Sequence, residues 1–315
     1  MNSVPAPGPA QNNEAARRGI GIDGLDRLRI TEHAIAGPRR VLRDTIQCPG
    51  PSSCDAHLNR SPWREMSGTT LSATLPTRTD RKVYIVWMAV VWVAILCGFG
   101  LDFARYLHES PPPPAILHVH AAVYVFWLVL VSVQILLVEA GNVRLHMRLG
   151  WATAIVSAVM VPLGLTAALV DQARQVSHPD YAPQFLALEF EEMFAFSTFV
   201  IAGLLTRKNL AEHKRLMILS AVAISDAGFA RIWLMGINYT LPGPFGWWLQ
   251  YFWGITLMLI AMLAWDWFKH KRVMRSVLWG AALLWSGEAI VTILNFSPAW
   301  RASMVTLVRI WGYTG

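Results

Sequence analysis

Seven long apolar stretches, each about the length of a bilayer-crossing helix, leave this chain few folds to choose from. From Val83 to Phe103 the run VYIVWMAVVWVAILCGFGLDF carries almost no charge. A helix rising about 1.5 Å per residue needs about 20 such residues to cross the hydrocarbon core. Six more stretches follow at roughly 115–139, 148–170, 185–206, 215–237, 246–268 and 275–296, which leaves no room for a water-soluble core after residue 82. The expected fold class is all-α: a polytopic bundle of seven transmembrane helices in the lipid bilayer.

The connections between stretches alternate in charge, and cationic residues collect on the cytoplasmic side. Arg78, Arg81 and Lys82 precede the first stretch, and Arg144 and Arg148 lie between the second and third. Arg207, Lys208, Lys214 and Arg215 separate the fourth from the fifth, and Lys269, Lys271, Arg272 and Arg275 separate the last two. The other connections are rich in acid and proline (Asp102 to Pro114, Asp171 to Pro183) or uncharged (Asn238 to Gly246). The expected topology has a cytoplasmic N-terminus and an outer C-terminus, in a bacterial inner membrane. The pI of about 9.6 is accounted for by these helix-end cations, which anionic lipid attracts, so no nucleic-acid partner is expected. Cys48, Cys54 and Cys97 fit neither a disulfide framework nor a zinc pattern.

Residues 1–80 differ in kind. They are rich in Pro, Gly, Ser and Arg, lack a sustained apolar period, and are expected to be disordered. No apolar segment follows Arg17 and Arg18 as a secretory signal would require. The tail reads either as a cytoplasmic regulatory segment or, the favoured reading, as leader sequence ahead of a start near Met66. The expected organisation is a tail (1–80), a seven-helix domain (81–300) and a short outer segment (301–315).

Two cytoplasmic turns echo each other. Aligning His146 in RLHMRLGWATAIVSA with His213 in AEHKRLMILSAVAIS also aligns Arg148 with Arg215 and Leu149 with Leu216. Both hairpins would run the same way through the membrane, as a parallel repeat or a chance similarity of short turns.

An ionisable side chain at the centre of a span costs about 2.5–3.5 kcal/mol on insertion scales, so depth ranks the candidates. Asp226 lies eleven residues into the fifth stretch, and Glu288 is comparably deep in the seventh. Arg231 lies further out, while Glu189, Glu191 and Glu192 occupy the first two turns of the fourth. His118 and His120 begin the second. Being two apart they diverge on a helix, and His120 shares its stripe with Tyr124, Trp127 and Gln134, which leaves His118 to the loop. His120 with Glu189 and Glu192 would suit a transition metal, and Asp226, Arg231 and Glu288 would make a proton path or ion pair. The competing reading gives the outer glutamates a role at the helix dipole and Arg231 a structural pairing. His146 and His213 could ligate haem iron or a metal from neighbouring helices, or simply sit among headgroup cations.

The segments HVHAAVYVFWLVLVSVQ (118–134), VRLHMRLGWA (143–152), AEHKRLMILSAVA (211–223) and MRSVLWGAALL (274–284) resemble a family of bacterial seven-helix membrane proteins with no established activity. His118, Trp127, His146, Arg148, His213 and Arg215 match its motif positions, while Met274 stands where a histidine is usual. The chain is more distantly similar to cytochrome b561 proteins, which implies haem between His146 and His213, and to membrane proteins that assist haem–copper oxidase assembly. The leading expectation is therefore a protein binding haem b or copper through His118, His120, His146 and His213. It would act in electron transfer or oxidase assembly beside respiratory-chain components. A proton-coupled small-solute transporter and a non-catalytic sensor or scaffold are the alternatives.

Overall fold

A computed structural model describes residues 78–110, 112–176 and 181–311. The expected disordered tail and the start near Met66 lie outside the described residues. Among the described residues the chain is helical throughout. Helix α1 spans Arg78–Leu107, α2 Ala115–Glu139, α3 Val143–Arg174, α4 Leu186–Leu205 and α5 Leu210–Ala223. Then come α6 (Asp226–Arg231), a π-helical turn (Ile232–Ile237), α7 (Gly243–His270), α8 (Arg275–Asn295) and α9 (Pro298–Trp311).

Among the described residues six segments are long and apolar enough to cross a membrane: α1, α2, α3, α7, α8 and the combined Leu210–Ile237. They turn large apolar side chains outward, such as Val93, Ile155, Leu257, Trp279 and Ile293, as a multi-pass membrane protein does. Helix α4 has 20 residues, enough for about 30 Å, but carries three glutamates.

Turn chemistry sets the boundaries. Pro114, in extended conformation, precedes α2. Asn142 and Asn209 cap α3 and α5, their side-chain oxygens accepting from the Leu145 and Ala211 amides at 3.2 Å each. In a bilayer, helices associate through close packing more than through exclusion of water, and small residues let backbones approach. Gly98 and Ala94 of α1 meet Gly228 of α6 backbone to backbone, and the Phe229 ring lies on Gly254 of α7.

Two features depart from expectation. Pro162 and Gly164, residue types that commonly interrupt a helix, lie within continuous α3. The interruption falls in the fifth stretch instead, at Ile224 and Ser225, where there is neither proline nor glycine. Ser225 directs both its amide (3.0 Å) and its hydroxyl (2.7 Å) to the Val222 carbonyl, a local alternative to the helical ladder. The end of the chain also contains a helix. Helix α9 packs Met304 and Val308 with Leu186 and Ala168, and Trp300 Nε1 donates to the Gln184 carbonyl at 3.1 Å.

Candidate functional site

The break in the fifth stretch is where acidic side chains gather. Asp226 opens α6, only 3% exposed, and its Oδ1 accepts from the Ala227 amide at 2.6 Å. A side-chain hydrogen bond joins it to Glu192 of α4. Glu191 lies against Gly287 of α8, where any side chain would collide with the carboxylate. The neighbouring Glu288 is 2% exposed. Its Oε2 accepts from Trp248 Nε1 (3.0 Å) and Thr256 Oγ1 (3.3 Å), and its Oε1 is buried with no partner. Glu189 Oε2 is likewise buried and unpaired. The field of Asp226 reaches Glu189, Glu191, Glu192 and Glu288, and that of Glu192 reaches Tyr124.

One guanidinium stands over this cluster. Arg231, at the end of α6, lies in electrostatic range of Asp226, Glu192 and His120. Its Nε donates to Asp102 Oδ2 of α1 at 3.1 Å, and it lies 4.1 Å from the Phe99 ring centre. Asp102 is also gripped by Arg105 at 2.6 and 2.8 Å. Beyond it Arg174 bridges Glu109 and Asp171, at 2.7 Å to each.

His118 belongs to α2 rather than to a loop, and its ring meets Tyr106 edge-on at 5.8 Å. His120 lies against Tyr124, ring centres 4.0 Å apart, with Nδ1 buried and unpaired. Among the described residues no three His, Cys, Asp or Glu side chains are grouped to hold a metal ion.

At the opposite, basic end the sequence echo is a structural one. Each hairpin returns through an asparagine cap, and His146 and His213 each sit four residues after it, donating their amides to the Asn142 and Asn209 carbonyls. The two imidazoles meet edge to face with centres 6.3 Å apart. His213 Nδ1 is 2.8 Å from the Gly203 carbonyl. A carbonyl only accepts, so Nδ1 carries the proton and Nε2 is left as the free nitrogen. His146 reaches the backbone of Gln134, and its Nδ1 is buried without a partner. Two imidazoles on opposite sides of one metal ion, each bound at about 2.0 Å, have ring centres about 6 Å apart, a spacing this pair matches.

Sequence reasoning missed Asp102 and Asp266. Asp102 falls at the start of an outer connection by charge pattern, although it is the last acid inside the first stretch. Asp266 pairs with Arg215 of the HKRLM turn at 2.6 Å. The signal was a single acid placed one turn before a run of cations.

No protein-family model, curated protein or solved structure matches the chain.

Proposed function

We propose that this chain is a proton-translocating membrane protein, a proton-coupled carrier whose exchange site is the carboxyl cluster of Glu189, Glu191, Glu192, Asp226 and Glu288. One observation carries the reading: the hydrogen bond between Glu192 and Asp226 at the point where the fifth stretch is broken. Two carboxyl groups can be so joined only if they share a proton. A broken helix beside buried acids is also the usual form of an ion or substrate site in carriers. In this reading α4 is the seventh crossing, with its glutamates turned to the bundle and Phe194 and Ile201 outward. The cations of the His146 end favour a cytoplasmic side for that end, in a bacterial inner membrane.

The test is proton uptake into proteoliposomes driven by a potassium diffusion potential. Wild-type protein should acidify the lumen in proportion to the potential, and Asp226→Asn should abolish the flux. Equal flux in the two would end this reading.

The spacing of His146 and His213, with Nδ1 of His213 tied to Gly203, favours a second reading in which the pair holds haem b or copper for electron transfer or oxidase assembly. Bound haem or copper would supply one-electron chemistry. An ultraviolet–visible spectrum with metal analysis of the purified protein tests it: a Soret band or stoichiometric copper lost in His213→Ala supports it, and neither signal defeats it.

A further inference from the structure

A groove of about 420 Å³ runs beside the contact of α1 with α6, and none of the acidic residues described above lines it. Its origin is the close approach of those two helices, where Gly228 meets Ala94 and Gly98 backbone to backbone. On the side of that contact toward the start of α1, the helix presents Val86, Ala89 and Val93. Phe229, Ile232 and Trp253 form the facing wall. Val86 and Val93 are 55% and 58% exposed, so the groove opens on the outside of the bundle, where lipid lies.

The walls restrict what can enter. The one polar group among these side chains, Trp253 Nε1, already donates to the Phe229 carbonyl at 3.1 Å, and the two rings meet edge-on at 5.4 Å. A polar head placed inside would find no partner, and leaving it unpaired is costly. What enters is therefore a hydrocarbon chain. The depth fits a lipid tail as well. From Lys82 to Val93 helix α1 rises about 16 Å, and half of the hydrocarbon core is about 15 Å. The groove reaches through one leaflet.

The entrance carries charge. Lys82, Val86, Ala89 and Val93 follow one another at spacings of four, three and four, which puts them on a single stripe of the helix. Lys82 is exposed and lies one turn before the first of the lining residues. The Lys214 ammonium of α5 lies 4.8 Å from the ring centre of neighbouring Tyr84, so α1 starts at the basic end of the bundle. Cations at that level attract anionic headgroups.

We infer that this groove binds an anionic phospholipid of the leaflet at the basic end. One acyl chain lies along Val86, Ala89 and Val93 as far as Phe229 and Trp253, and the phosphate rests on the Lys82 ammonium. The chain fills space that the protein's own side chains leave open between α1 and Trp253. This site depends on neither the proton-translocating nor the haem reading.

The experiment is native mass spectrometry of the full chain, purified in detergent and incubated in micelles holding equal amounts of phosphatidylglycerol and phosphatidylethanolamine. Wild type should retain one phosphatidylglycerol in preference to phosphatidylethanolamine. Ala89→Trp, which fills the groove, should lower retention of both about tenfold, the worth of about two buried methylenes. Lys82→Gln should keep the acyl site but cut the preference for phosphatidylglycerol about fivefold, the worth of one surface cation. Wild type that retains neither lipid, or Ala89→Trp that retains as much as wild type, overturns the site. Equal retention of the two lipids by wild type, or an undiminished preference in Lys82→Gln, overturns the anionic assignment and the proposal with it. A co-purified quinone in place of phospholipid would overturn it too. Should Ala89→Trp fail to fold, Lys82→Gln decides alone: a lost preference supports the site and an unchanged one refutes it.

Discussion

Arg215 of α5 and Asp266 of α7 face each other with Nη2 and Oδ1 2.6 Å apart and with side chains only 5% and 3% exposed. The guanidinium also sends Nε to the same carboxylate at 3.1 and 3.2 Å and Nη1 to the Ala211 carbonyl at 2.9 Å. Asp266 in turn receives the Met274 amide at 3.1 Å, which ties the turn before α8 into the pair. Asp266→Ala would strand a buried cation and should cost about 3–5 kcal/mol. Arg215→Lys should recover little, because an ammonium cannot make the forked contact. Thermal unfolding midpoints in detergent check both.

Gly228 allows α6 to touch α1. A Cβ there would come within 2.6 Å of the Ala94 carbonyl oxygen, whereas one at Gly100 of α1 meets nothing within 4 Å. Gly228→Val should therefore destabilise by about 1–3 kcal/mol, the range for overpacking, and Gly100→Val by much less. The same melting experiment separates them.

Glu288 can lose its acidity without losing its bonds. The side-chain oxygen of Gln accepts from Trp248 and Thr256 as the carboxylate does, so Glu288→Gln should melt near the wild type while slowing proton uptake. Trp248→Phe removes a donor from a buried carboxylate and should cost about 1–3 kcal/mol. A Glu288→Gln protein that fails to fold would show that the carboxylate is structural.

Helix α9 is attached by an apolar edge and by hydrogen bonds from Trp300 and Arg301 to the Gln184 and Tyr181 carbonyls. Val308→Asp puts a charge where Val308 packs with Leu186 and should release the helix, opening Arg301 and Arg309 to trypsin while α4 stays protected. Cleavage no faster than in wild type would mean that the hydrogen bonds hold α9 without this edge.

The helix positions were largely legible because apolar run length is a one-dimensional quantity. The bounds of α2 coincide with the expected 115–139, and those of α8 nearly with 275–296. The echo around His146 and His213 was readable from letters alone, since caps and turns are local. The break at Ser225 was not. It has no proline or glycine to mark it, and a serine forms such a bond or not according to its neighbours. Asp226 and Glu288 stood out by depth, but their association with Glu191 and Glu192 depends on how α4 packs against α6 and α8. Nor could spacing reveal that the partner of Arg231 is Asp102, 129 residues away. The amphipathic edge of α9, with Trp300, Met304 and Val308 four apart, was present in the sequence but too short to stand out.

The π turn after Arg231 makes chain length itself a geometric variable. Such a turn holds one residue more than an α-helix would, and each residue is worth about 100° of rotation. The helix that carries Asp226 and Arg231 thereby reaches the left-handed corner at Asn238 (φ 50°) in a different phase. From that corner α7 runs back with Trp253 Nε1 on the Phe229 carbonyl at 3.1 Å. A chain one residue shorter between 232 and 237 would leave the corner pointing elsewhere, and Trp253 would no longer return to Phe229.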